Sequence, residues 1–155
     1  MVTPLQIERD VFDPVAARIS QPADSLHEIR KVKGGGIEGW LKVEAVAALG
    51  PKIKKVQNSG PDLILTDDNQ IELKAGCGLD VAYIRKGMNK YRMPCIFLGY
   101  GNPALLETEE IEQVKSHTFS ADVDNWVVGL IHMKNTDRSG EQTARAHALP
   151  RAALL

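Results

Sequence analysis

Apolar residues recur at helical spacing through IEGWLKVEAVAAL (37–49), a run closed by Gly50-Pro51, and the pattern predicts a helix there. The period then shortens. KIKKVQ (52–57), PDLILT (61–66) and QIELKA (70–75) read as three strands, separated by the turn signals NSG (58–60) and Asp67-Asp68-Asn69. PDLILT has apolar residues on both faces, as in the centre of a buried sheet, and so short a turn makes the second and third strands a hairpin. In LDVAYIRKGMNKY (79–91), Val81, Ile84, Met88 and Tyr91 return at helical spacing. CIFLGY (95–100) and WVVGLIHM (126–133) read as strands, and the Glu-rich stretch 104–116 between them reads as an acidic helix.

The ends are less regular. Pro4, Pro14 and Pro22 make residues 1–24 an irregular arm with one short helix after Asp13-Pro14. Ser25 to Glu28 has the spacing of a capping box, which predicts a short helix to about Lys33, stopped by Gly34-Gly35-Gly36. The chain after Asn135 is polar, then rich in Ala and Arg. The expected architecture is an α/β (α+β) domain around a mixed five-stranded sheet flanked by helices: an arm over 1–36, a core over 37–134 and a tail over 135–155.

Composition narrows the class. The 155 residues are 43% hydrophobic and 25% charged, as in ordinary globular proteins, which excludes a wholly disordered or fibrous chain. The net charge of −1 excludes a uniformly basic nucleic-acid coat, though not local basic patches. No apolar run reaches the roughly 20 residues of a membrane span, and MVTPLQIERD lacks the basic-then-apolar order of a secretion signal. Cys77 and Cys95 form no CxxC pair, and His27, His117, His132 and His147 show no ligand spacing. The expectation is an intracellular, cytoplasmic protein with reduced thiols and no membrane partner.

The chemistry gathers on the predicted hairpin. Glu72 and Lys74 are two apart on one strand, so they share a face about 6.6 Å apart, while Leu73 points into a core. The hairpin brings Asp62 alongside Glu72. Two carboxylates about 4 Å apart repel by about 4 kcal/mol at an effective dielectric of about 20. Lys74 offsets part of this. A divalent ion is the usual remainder, and carboxylates with a backbone carbonyl suit Mg2+ or Mn2+. Such an ion polarises a phosphodiester, and Lys74 is placed to orient the attacking water and stabilise charge building on phosphorus. On the 37–49 helix, a 100° projection sets Glu44 in the middle of the apolar face, between Ile37, Trp40, Leu41, Ala47 and Ala48. It sets Glu38 and Lys42 on the polar side as an i,i+4 pair. A carboxylate on a buried face needs a partner, so Glu44 is a candidate third acid.

Pro61-Asp62, then Glu72-Leu73-Lys74, following a Glu-bearing helix, resembles the PD-(D/E)xK nuclease superfamily over roughly residues 37–134. The resemblance implies a restriction-endonuclease-like core of helix, three strands, helix and strand. It implies that Asp62 and Glu72 bind metal, that Leu73 lends its backbone carbonyl, that Lys74 is the catalytic lysine, and that Glu44 is the helix acid many members carry. Small homodimeric type II restriction enzymes and archaeal Holliday junction resolvases are of similar length, so a homodimer is expected. The Gln-x-x-x-Tyr motif of the exonuclease branch is absent at Tyr91, where Gly87 stands four residues earlier.

Lys54 and Lys55, and Arg85, Lys86, Lys90 and Arg92, form basic clusters flanking the acidic site, with Arg30, Lys31 and Lys33 as a further group. Each alone is as readily a solvated face; together they suit phosphate contacts. The expected function is a divalent-metal-dependent DNA endonuclease, structure-specific or of small restriction type. The alternatives are a catalytically silent nuclease-fold module for nucleic acid or a partner protein, and an RNA-directed enzyme. The residues suit one ion or two.

Overall fold

One mixed sheet organises the molecule, with described strands in the spatial order β1-β2-β3-β4-β6-β5. They are Ile53–Val56 (β1), Leu63–Leu65 (β2), Gln70–Ala75 (β3), Cys95–Tyr100 (β4), Ile111–Ala121 (β5) and Asp124–Met133 (β6). The helices are Pro4–Ile7 (α1), Asp13–Ile19 (α2), Leu26–Ile29 (α3) and Gly36–Leu49 (α4), with a π turn over Glu8–Phe12 joining α1 to α2. The computed structural model describes residues 3–20, 26–29, 31, 36–76, 93–100, 107–109, 111–121 and 124–134. The helix expected over 79–91, the basic residues Arg85, Lys86, Lys90 and Arg92, and the tail beyond 134 lie outside the described residues.

β1, β2 and β3 form an antiparallel meander, and β3 then pairs parallel with β4, from Glu72↔Cys95 to Ala75↔Leu98. A parallel pair needs a crossover rather than a tight turn, which separates the 70–75 and 95–100 segments in sequence. β4 pairs antiparallel with β6, and β6 with β5. In β4, Ile96 and Leu98 join the core shared with α2 and α4, while Cys95 and Phe97 join a second cluster with Ile111, Val127 and Ile131. Both faces of β4 are therefore covered, which is why CIFLGY reads as one apolar run.

Three expectations are corrected. The sheet has six strands, not five, because Ile111–Ala121 is a strand rather than the end of an acidic helix over 104–116. The last of the glutamates, Glu112, is the second residue of the strand. Beyond them Val114, Thr118 and Phe119 favour an extended chain, and β6 supplies a ladder from Ile111↔Met133 to Ala121↔Asp124. The register slips once, between Gln113 and Lys115, which blurs the two-residue alternation.

The short helix expected after Asp13-Pro14 is α2, but the segment before it, Pro4 to Phe12, is also helical rather than irregular. Pro14 has no N–H and its ring crowds the carbonyl four residues earlier, so an ordinary helix would break there. The preceding π turn, in which Asp13 N–H reaches back to Glu8 O, opens the helix enough to continue. The crowded Asp10 carbonyl accepts a hydrogen bond from Lys52 Nζ at 3.0 Å. Val11, Phe12, Val15 and Ile19 are buried in the main core.

The third correction concerns α4. Its buried stripe is Ile37, Leu41, Ala45 and Leu49, with Val43 64% exposed. The inward face is thus turned by about 80° from one centred on Glu44.

On β6, His132 is half-buried and its Nε2 has no hydrogen-bond partner. Burial pushes its imidazole below the ordinary 6.5, partly opposed by Glu112 across the ladder. A depressed folded pKa means that stability is complete above 6.5 and lost as pH falls toward the folded value. The melting temperature is therefore expected to fall below that pH, and His132→Gln to flatten this part of the profile. Superimposable profiles for variant and parent would sink the assignment.

Candidate active site

Asp62 and Glu72 are the two charged side chains buried among the described residues, at 8% and 4% exposure. Burying a carboxylate is costly without compensation, so what surrounds this pair determines what it can do. The hairpin delivers both. Leu63 pairs with Ile71 and Ile64 with Gln70, so continuing the register sets Asp62 opposite Glu72. The turn closes tightly: Leu65 N–H donates to Asn69 O, Asn69 N–H donates to Asp67 Oδ1, and Asp68 takes a left-handed φ of 65°.

Asp62 sits at the end of a second turn, where Gly60 adopts φ +84°. Gln57 N–H donates to Asp62 O at 2.9 Å, and Gln57 Nε2 to Pro61 O at 3.1 Å. At this end of the hairpin a side chain takes over from the ladder: Leu73 N–H donates to Asp62 Oδ2 at 2.8 Å. The other carboxylate oxygen, Oδ1, lies 2.6 Å from Lys42 Nζ.

Glu72 and Lys74 lie on the face of β3 that continues onto Cys95 and Phe97, their partners on β4. Leu73 lies in the main core on the other side. Lys74 Nζ is 2.9 Å from Glu72 Oε1, and Glu72 Oε2 is buried with no hydrogen-bond partner. Burial raises the Glu72 pKa; the Lys74 bond works against this, and the charges of Asp62 and Glu38 add to the rise. Burial and the nearby Glu72 likewise push the Cys95 thiol well above its ordinary range, so it stays protonated and unreactive.

The structure therefore brings Asp62, Glu72, Leu73 and Lys74 together, but not Glu44. Glu44 Oε2 pairs with Arg18 Nε of α2 at 2.6 Å, on the flank of α4 that meets the N-terminal helix. The acid that α4 turns toward the site is Glu38, whose Oε2 accepts from Ala75 N–H at 3.4 Å and whose charge acts on Glu72. Lys42, one turn along, is bound to Asp62 rather than to Glu38 as expected. The i,i+4 spacing of Glu38 and Lys42 was the available signal: it puts both on one side of the helix, and only the choice of side differed.

Among the basic candidates, Lys54 is held by Asp68 at 2.6 Å on the exposed edge strand, and Lys55 is exposed on the same strand.

The donor set is made of hard oxygens, which suits Mg2+ or Mn2+ better than a soft metal. Each buried carboxylate also has a lysine upon it. Among the described residues, no three His, Cys, Asp or Glu side chains converge closely enough to form a metal cage by themselves. Among the described residues, Glu72 Oε2 is the buried carboxylate oxygen with no hydrogen-bond partner.

The chain matches no protein-family model, no curated protein and no solved structure.

Proposed function

We propose that the protein is a divalent-metal-dependent nuclease of the PD-(D/E)xK type, hydrolysing phosphodiester bonds in DNA. The observation that carries this reading is the partnerless buried oxygen of Glu72, set beside Asp62 and Lys74 at the end of a hairpin. A buried carboxylate oxygen without a donor is a cost the fold tolerates when a ligand will occupy it. The element order adds support. The resemblance implies helix, three strands, helix and strand; α4 and β1 to β4 come in that order, with the second helix outside the described residues, and β3 and β4 are parallel.

Asp62, Glu72 and the backbone carbonyl of Leu73 would hold the ion, with Glu38 as the helix acid in place of Glu44. When bound, Mg2+ or Mn2+ supplies Lewis acidity toward a phosphodiester oxygen and the attacking water. Lys74 keeps its ammonium beside that position, orients the water and offsets the negative charge that grows on phosphorus. Asp62 is held by Leu73 N–H, so its orientation is set before substrate arrives. Lys54 and Lys55 on the exposed edge strand would contact phosphates without reading sequence.

Purified protein is expected to nick or cut plasmid DNA with Mg2+ or Mn2+ and to stop when chelator is added. Glu38→Gln should slow cutting at least tenfold, whereas Glu44→Gln should leave the rate unchanged and cost no more than about 1 kcal/mol of stability. Equal rates for parent and Glu38→Gln would remove Glu38 from the site. A four-way junction compared with a linear duplex of the same sequence separates structure-directed from sequence-directed cutting.

The pairing of each buried carboxylate with a lysine favours one other reading, a silent binding module whose charges are structural. Calorimetry that finds no Mn2+ binding while DNA affinity persists would select it.

A further inference from the structure

Lys42 is held by a backbone carbonyl as well as by a buried acid. Its ammonium lies 2.6 Å from Asp62 Oδ1 and donates to Gln57 O at 2.9 Å. Gln57 is itself tied by hydrogen bonds to both Pro61 and Asp62. The turn that positions the aspartate therefore also clamps the lysine that neutralises it. Only 21% of the Lys42 side chain is exposed, so solvent does little to weaken the pair.

A centre using two ions requires carboxylate oxygens shared between cations about 3.5–4 Å apart. The donors on the two acids limit what is left for such sharing. Asp62 receives Lys42 on one oxygen and Leu73 N–H on the other, and Glu72 receives Lys74 on Oε1, leaving Oε2. The formal charges agree. Asp62, Glu72 and Glu38 carry three negative charges against two positive ones on Lys42 and Lys74, a net −1. For these five residues, one divalent ion and one phosphodiester monoanion bring that sum to zero, and a second ion would raise it to +2.

We propose that the Lys42 ammonium is a tethered cation standing where a second metal ion would bind, so that the centre takes one divalent ion per chain and presents it to a single phosphodiester. This rests on the metal-dependent reading above and adds the number of ions to it. Lys42 is on this view a positioning residue: it holds the charge of Asp62 and sets the number of ions.

The test is a calorimetric titration of the full chain with Mn2+, without DNA. The parent is expected to take about one ion, and Lys42→Arg, which keeps the charge, also about one. Lys42→Met and Lys42→Gln, which remove it, are expected to take about two. Lys42→Gln is included because its amide still donates to Gln57 O and so preserves the turn. A merely structural lysine would alter affinity or melting temperature but not the number of ions. Two ions in the parent, or one in a folded neutral variant, overturns the proposal. No ion in the parent overturns the metal-dependent reading itself, which distinguishes the two failures.

Discussion

Lys74→Ala is expected to lower DNA cleavage by about 100- to 1000-fold, the scale on which removing one preorganised charge-stabilising donor acts. Lys74 also compensates a buried acid. Its ammonium is 2.9 Å from Glu72 Oε1, with the two side chains 15% and 6% exposed. Removing one partner of a buried pair leaves an uncompensated charge and costs about 3–5 kcal/mol. A loss of cutting by Lys74→Ala alone could therefore report unfolding. The companion is Lys74→Met with Glu72→Gln. This neutral pair removes both charges at similar volume, so it should restore most of the melting temperature lost in the single variant while leaving cleavage absent. DNA binding should persist in both. If Lys74→Ala cuts at the parent rate, the mechanism is wrong; if the neutral pair cuts, neither charge takes part in the chemistry.

Gly129→Ala is expected to give the largest loss of stability for the smallest added volume. Gly129 on β6 pairs with Phe97 on β4, and the Phe97 ring lies across the glycine where a β-carbon would stand. The added methyl overlaps the ring edge at Cε1 and Cζ. Phe97 is 1% exposed and packs with Cys95, Val127 and Ile131, so the ring has little room to swing away. Overpacking of this kind costs about 1–3 kcal/mol, which for a chain of this size is roughly 3–10 °C in melting temperature. Phe97→Leu frees space at the same spot. Combined with Gly129→Ala it should be less damaging than the sum of the two singles, a coupling that a double-mutant cycle measures. Additive effects would show that the ring does not meet the new methyl. Because Phe97 lies beside Lys74 in the β3–β4 register, the cycle also tests the wall on which the lysine rests.

Some of this architecture was legible along the chain because it is local. The Asp67-Asp68-Asn69 turn ties the 61–66 segment to the 70–75 segment, and the two-residue period of a strand puts Glu72 and Lys74 on one face with Leu73 on the other. No distant contact was needed for that. Register follows from turn length, so the approach of Asp62 to Glu72 was equally local.

Other features depended on what packs against what. α4 carries apolar residues nearly all round, from Trp40 and Leu41 through Val43 to the run ending at Leu49, so its period defines no single inward face. Contact with α2 on one side and β3 on the other chose Ile37, Leu41, Ala45 and Leu49. That choice sent Glu44 to Arg18, and Glu38 and Lys42 to the hairpin. The helical turns ahead of Pro14 were hidden by that proline, whose local cost is met by the π turn and by a donor from Lys52, 42 residues away. The glutamates before Ile111 suggested a helix until β6 offered a ladder. Turn chemistry and strand periodicity, which act over a few residues, set the identity of the acids and the lysine on β3. The identity of the acid and the ammonium on α4 was set by burial of helix faces, a cooperative property that no short window of sequence contains.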